Sequence, residues 1–124
     1  MSKAMVVDDS RAIRMILAKT LSELGFQVCQ AGNGKEALDV VERENGDLSL
    51  ILVDWNMPEM NGLEFIKRVR ADSRMSAVPL MMVTTETEMD QVMTALEAGA
   101  NEYVMKPFTS EIIADKLRLM GAIQ

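Results

Sequence analysis

Short apolar runs alternate with longer segments of helical spacing along the whole chain. Ala4-Met5-Val6-Val7 is the first run and predicts a strand. From Arg11 to about Leu24, the positions Ile13, Ile16, Leu17, Leu21 and Leu24 form one apolar stripe of a helix. Gly25 stands where glycine commonly ends a helix. Phe26–Ala31 predicts a second strand. Asn33 with Glu36 three residues later reads as a capping box for a helix running to about Glu44, followed by a turn at Asn45-Gly46. Leu50-Ile51-Leu52-Val53 is the third strand, and Asn61 caps a helix from Gly62 to about Ala71. Pro79 opens the fourth strand, Leu80-Met81-Met82-Val83. A helix from about Glu88 to Ala98 ends at Gly99, Glu102–Met105 is the fifth strand, and Thr109 starts a last helix to about Met120.

The first, third and fourth runs are apolar without alternation. Such strands are buried on both faces, as in a parallel sheet covered by helices. Five βα units joined by right-handed crossovers make an α/β, doubly wound sandwich. With 124 residues and no linker, repeat or low-complexity tract, the chain is expected to be one domain spanning 1–124 with no output domain.

Composition narrows the partners. A net charge of −6 argues against nucleic acid and anionic membrane, both of which reward positive surfaces. No apolar stretch approaches the ~18 residues needed to span a bilayer. The single Cys29 cannot form an internal disulfide, which fits a reducing cytoplasm. The absence of histidine excludes imidazole catalysis and ligation. Aromatics are 4% of the chain, so the core must be aliphatic and methionine-rich. The 12 methionines read mainly as core fillers, with a minority available for an adaptable surface.

In a doubly wound sheet, functional groups gather at the carboxyl ends of the strands. Here the first strand ends in Asp8-Asp9, the third in Asp54, the fourth in Thr84-Thr85 and the fifth in Lys106-Pro107. Three carboxylates, two hydroxyls and one ammonium therefore converge. Carboxylates with a backbone carbonyl suit Mg²⁺, a cation and an ammonium stabilise a transferring phosphoryl group, and a carboxylate can itself be the nucleophile. Each residue also has a plainer use. Asp8 or Asp9 caps the first helix, Asp54 forms a turn before Pro58, Thr84 is a strand residue, and Lys106 is solvated. Four strand ends agreeing at once favours the joint chemical reading.

These residues resemble a known family, the response-regulator receiver domain, specifically its single-domain chemotaxis (CheY-like) branch. The resemblance runs through Val6-Val7-Asp8-Asp9-Ser10, Asp54-Trp55-Asn56-Met57-Pro58, Asn61-Gly62, Thr84-Thr85-Glu86, Gly99-Ala100 and Tyr103-Val104-Met105-Lys106-Pro107-Phe108. It implies a flavodoxin-like strand order 2-1-3-4-5. It implies that Asp54 accepts a phosphoryl group from a sensor histidine kinase. Mg²⁺ would be held by Asp9, Asp54 and the backbone carbonyl of Asn56, with Asp8 reaching it through water. Lys106 would pair with the phosphoryl oxygens, Thr84 would donate its hydroxyl to them, and Tyr103 would be the aromatic switch that follows Thr84. Lys106-Pro107 would be cis. The implied protein is a cytoplasmic monomer with slow autodephosphorylation but no conventional enzyme activity. Its output would pass through the last helix pair and fifth strand to a protein such as a flagellar motor switch component, with a phosphatase as a further partner. Met89, Val92, Met93, Tyr103 and Ile112 are available on that face, about half of them as core. Asn56 and Glu86 match the chemotaxis branch and imply a short-lived phosphoryl state. Thr85 departs from it, standing where a smaller residue is expected and crowding access to the site.

Three other roles compete with this one. A phosphorelay intermediate or phosphate sink would use the same chemistry. A metal-dependent phosphatase with an aspartyl-phosphate needs an acid two residues after the nucleophile, where this chain has Asn56. A flavin-binding electron carrier needs a hydroxyl- and glycine-rich phosphate loop where this chain has Asp8-Asp9.

Overall fold

The computed structural model describes residues 2–85 and 90–124. The expected Glu88 helix start, the flanking Glu86 and the surface Met89 lie outside them. Five strands, β1 (Lys3–Val7), β2 (Gln27–Ala31), β3 (Leu50–Asp54), β4 (Leu80–Thr84) and β5 (Glu102–Met105), form one sheet in the order β2-β1-β3-β4-β5. Every pairing is parallel. The α-helices are α1 (Arg11–Glu23), α2 (Gly34–Arg43), α3 (Gly62–Ala71), α4 (Val92–Ala98) and α5 (Ser110–Leu119), with a short 3₁₀ turn at Ser73–Met75.

Alternation along each strand sends side chains to two separate cores. Ala4, Val6, Leu50, Leu52, Met81, Val83 and Val104 pack with Leu17 and Leu21 of α1 and Ile113 and Leu117 of α5. Met5, Val7, Ile51, Val53, Leu80 and Met82 pack with α2, α3 and α4 through Val40, Phe65, Ile66, Val92 and Ala95. β3 and β4 are buried at all positions, as their unbroken apolar runs require, whereas the edge strand β2 is largely open. Of the methionines, Met5, Met57, Met60, Met75, Met81 and Met82 are buried, while Met15, Met93 and Met105 are exposed.

The caps follow the sequence closely. Asn33, Asn61 and Thr109 each accept a hydrogen bond from the amide three residues on. The plainer use of Asp8 or Asp9, as the cap of α1, does not hold. Ser10 caps that helix by accepting from the Ile13 amide, because Asp8 is turned into the sheet edge and itself accepts from the Ser10 amide at 2.8 Å. Gly25, at φ 99°, closes α1 in the left-handed conformation, with the Gly25 amide donating to Ser22 and the Phe26 amide to Leu21.

Candidate functional site

The parallel register brings the strand ends together. Asp8 follows β1, Asp54 closes β3, Thr84 closes β4, and Lys106 follows β5. The main chain fixes these tips to one another. The Asp8 amide donates to Ala31, the Trp55 amide to Val83, and the Lys106 amide to Thr84 at 2.7 Å. Gly62, the first residue of α3, lies so close to the site that a Cβ there would fall 2.9 Å from Trp55 Cα and 3.0 Å from the Asp54 carbonyl oxygen. Only glycine allows that approach.

Asp8 and Asp54 are buried, and Asp9 is exposed. One carboxylate oxygen from each lies within 4.8 Å of the others. The Lys106 ammonium reaches both buried acids, 3.4 Å from Asp54 Oδ1 and 3.4 Å from Asp8 Oδ2. The contact with Asp54 is a hydrogen bond. Asp8 Oδ2 is near the ammonium but is buried without a hydrogen bond. Asn56 follows two residues after Asp54 with an exposed side chain.

One ammonium does not offset the burial of two carboxylates. Burial, then the neighbouring Asp8 charge, pushes the Asp54 carboxyl up to about 6, against the opposing pull of Lys106. Burial also raises the Asp8 carboxyl, although the Ser10 amide and Lys106 oppose it. For Lys106, burial disfavours the charged form, but the two carboxylates outweigh it and its pKa is raised. The site thus has an excess of hard oxygen donors and one buried oxygen without a hydrogen bond. Both features fit a small divalent cation such as Mg²⁺.

Thr84 and Tyr103 lie on the opposite side of the sheet from Asp54 by strand alternation. Thr84 is fully buried and its hydroxyl donates to the Thr85 carbonyl at 3.3 Å. Tyr103 pairs with Met82 across the β4–β5 register, so it is diagonal to Thr84 on one face. The Lys106-Pro107 peptide is cis.

Four contacts have no counterpart in the pattern of the chain. Arg14 donates to the Asp8 carbonyl at 2.6 Å and holds the end of β1. The Lys116 ammonium sits 4.4 Å over the Tyr103 ring and 3.3 Å from Glu102 Oε1. The Trp55 indole donates to Gln91 Oε1 at 2.6 Å. Each ties a helix, or the turn before it, to a strand or strand end, and only a fold with known register would have suggested them.

The model of the response regulator receiver domain matches residues 4–118. This chain belongs to that family. The receiver domain is 46% identical over 119 residues to chemotaxis protein CheY1 of Helicobacter pylori, covering 95% of each chain. It is 47% identical over 116 residues to the chemotaxis protein CheY homolog of Campylobacter jejuni, covering 93% of this chain and 88% of that one. Among solved structures, the chemotaxis response regulator CheY4 of Vibrio cholerae superposes with a TM-score of 0.89 at 36% identity, covering 97% of this chain and 98% of that one. The strand order is thus that of a receiver domain, a signalling module rather than a conventional enzyme. No helix among the described residues is long and apolar enough to cross a membrane.

Proposed function

We propose that this receiver domain is a cytoplasmic chemotaxis response regulator, switched by phosphorylation of Asp54. The observation that carries the reading is a buried Asp54 with Lys106 at 3.4 Å and two further carboxylates beside it. The names of its relatives support the chemotaxis assignment.

Asp9, Asp54 and the Asn56 backbone carbonyl would hold Mg²⁺, with Asp8 acting through water. When bound, the ion supplies positive charge that neutralises phosphoryl oxygens. An Asp54 carboxylate oxygen attacks the phosphorus of a phosphohistidine on a sensor kinase. The new P–O bond forms as the P–N bond breaks, and the bond pair leaves on the imidazole nitrogen, which takes up a proton. Lys106 then moves its ion pair from the carboxylates to the phosphoryl oxygens. Thr84 turns its hydroxyl toward the same oxygens, and Tyr103 follows into the space that Thr84 leaves. The residues of the site also support slow loss of the phosphoryl group to water.

The output face is formed by α4, β5 and α5. Met93, Met105 and Ile112 are exposed there, and a groove of about 370 Å³ is lined by Tyr103, Met105, Pro107, Ile112 and Lys116. Val92 is buried and belongs to the core instead. A formed apolar groove favours a partner-binding output, such as a flagellar motor component, over a mere phosphate sink.

Acetyl phosphate with Mg²⁺ tests the chemistry. The protein gains one acid-stable, hydroxylamine-labile phosphoryl group, and Asp54→Asn gains none. Equal labelling of the two proteins refutes Asp54. Lys106→Ala is still labelled but no longer switches partner affinity; a variant that switches like wild type leaves Lys106 as a charge only.

A further inference from the structure

Trp55 immediately follows Asp54, yet strand alternation sends its side chain to the other face of the sheet. There it is buried in the core shared by α2, α3 and α4. Its backbone cannot shift freely. The Trp55 amide is bonded to Val83, its carbonyl accepts from Gly62, and Gly62 is packed against its Cα. The indole is therefore rigidly coupled to the strand tip that carries the phosphoacceptor. Its single donor goes to Gln91 Oε1 at 2.6 Å.

Gln91 is exposed and directly precedes α4. It occupies the helix-capping position, but its side chain makes no cap hydrogen bond to the helix. The amide that sequence position offers to the helix is spent on the indole of Trp55. At seven residues, α4 is shorter than the other described α-helices. Its two ends are held differently. At the carboxyl end, Arg70 donates two hydrogen bonds to the Gly99 carbonyl and one to Asn101 Oδ1, and the Ala100 amide donates to Ala95. At the amino end, the side-chain tie among the described residues is the bond from Trp55.

We propose that Gln91 is a positioning residue: its hydrogen bond to Trp55 latches the start of α4 to the strand that carries Asp54. The latch gives the site a link to the output face that is separate from Thr84 and Tyr103. It holds α4 in the resting position, and movement of the β3 tip on phosphorylation is transmitted to the helix start. The signalling meaning of the latch rests on the function proposed above, but its existence does not.

The test is backbone amide exchange across Val92–Ala98 in the intact, metal-free, unphosphorylated protein. Gln91→Met keeps the length of the side chain and removes the strong acceptor. Because Gln91 is exposed, the variant keeps the fold, and exchange in β1 and β3 serves as the control. Gln91→Met and Trp55→Phe should each speed α4 exchange about fivefold, the equivalent of one hydrogen bond of about 1 kcal/mol. The double variant should be no faster than either single one, and Gln91→Glu, which keeps an acceptor, should stay near wild type. Unchanged α4 exchange in Gln91→Met, additive effects in the double variant, or a Gln91→Glu as fast as Gln91→Met each overturns the latch. Addition of Mg²⁺ and beryllofluoride, a phosphoryl mimic, should change α4 exchange less in Gln91→Met than in wild type; equal changes overturn the coupling. An intact latch in a protein that acetyl phosphate does not label would overturn the proposed function alone.

Discussion

Val53 and Asp54 are consecutive residues of one strand, and both are almost wholly buried, at 0% and 5% exposure. Their situations are otherwise opposite. Val53 pairs with Val7 of β1 and Met82 of β4 within an apolar core, and nothing more is needed to complete its surroundings. Asp54 meets a second buried carboxylate and a shared lysine, and its proton affinity rises accordingly. The bodies of the strands are complete within the folded chain. The tips are complete only when something else arrives: a proton, a cation or a phosphoryl group. Stability and function are therefore divided along the length of the same strands, and substitutions in the two regions should differ in sign as well as size.

The largest effect belongs to the strand bodies and the helices that cover them. Phe65 of α3 is fully buried in the core that α2, α3 and α4 share with the sheet. Phe65→Ala should lower stability by about 3–5 kcal/mol in urea unfolding, through lost transfer energy and a residual cavity. A loss under ~1 kcal/mol would mean that the core collapses around the gap and that body and tip are less distinct than argued.

Next in size is completion of the tip. Mg²⁺ at about 100 times its dissociation constant should raise stability by about 2.7 kcal/mol by mass action. The buried Trp55 should report the same titration by fluorescence, since it directly follows Asp54. Asp9→Ala should flatten both signals. A titration that survives Asp9→Ala would place the ion elsewhere.

Protons should complete the tip partly in place of the cation. Asp54 titrates near 6 when folded and near ~3.9 when unfolded. Between these values the folded protein binds more protons, so this group's contribution falls as pH rises from about 4 to 6. By pH 7 the cost is about 2–3 kcal/mol. Metal-free Asp54→Ala should therefore be more stable than wild type at pH 7, and the difference should close by about pH 4. A pH-independent difference, or a variant less stable at pH 7, would show that Lys106 already satisfies both carboxylates.

The same division explains what could be read from the chain. Strand bodies announce themselves by unbroken apolar runs, and the caps at Asn33, Asn61 and Thr109 by residue type and spacing. The acids and lysine were legible because a parallel sheet puts all strand ends on one edge. The cap of α1 was not, since Asp8, Asp9 and Ser10 are all good capping residues, and the choice falls to Ser10 only because Asp8 is drawn into the site. The 3₁₀ turn at Ser73–Met75 is too short to leave a period. The links Trp55–Gln91, Lys116–Tyr103 and Arg70–Gly99 join separate elements, and no local pattern encodes them.

The smallest effect lies in the loop that leaves Asp54. Glu59 has a φ of 67°, a left-handed value uncommon for residues other than glycine, asparagine and aspartate. The Met60 amide donates to the Pro58 carbonyl at 2.7 Å, closing a three-residue turn around Glu59. A turn of that kind with positive φ is strained. The strain is local to the tip, beside the site and away from both cores. Glu59→Gly removes about 1–2 kcal/mol of left-handed cost but adds about 0.5–1 kcal/mol of backbone entropy in the unfolded chain. The net gain should be about 0.5 kcal/mol, a rise in Tm of about 2 °C for a domain of this size. Glu59→Val, branched at Cβ, should move Tm the other way. If glycine lowers Tm, the loop is not strained at Glu59, and the tip departs from the strand bodies only in its charges.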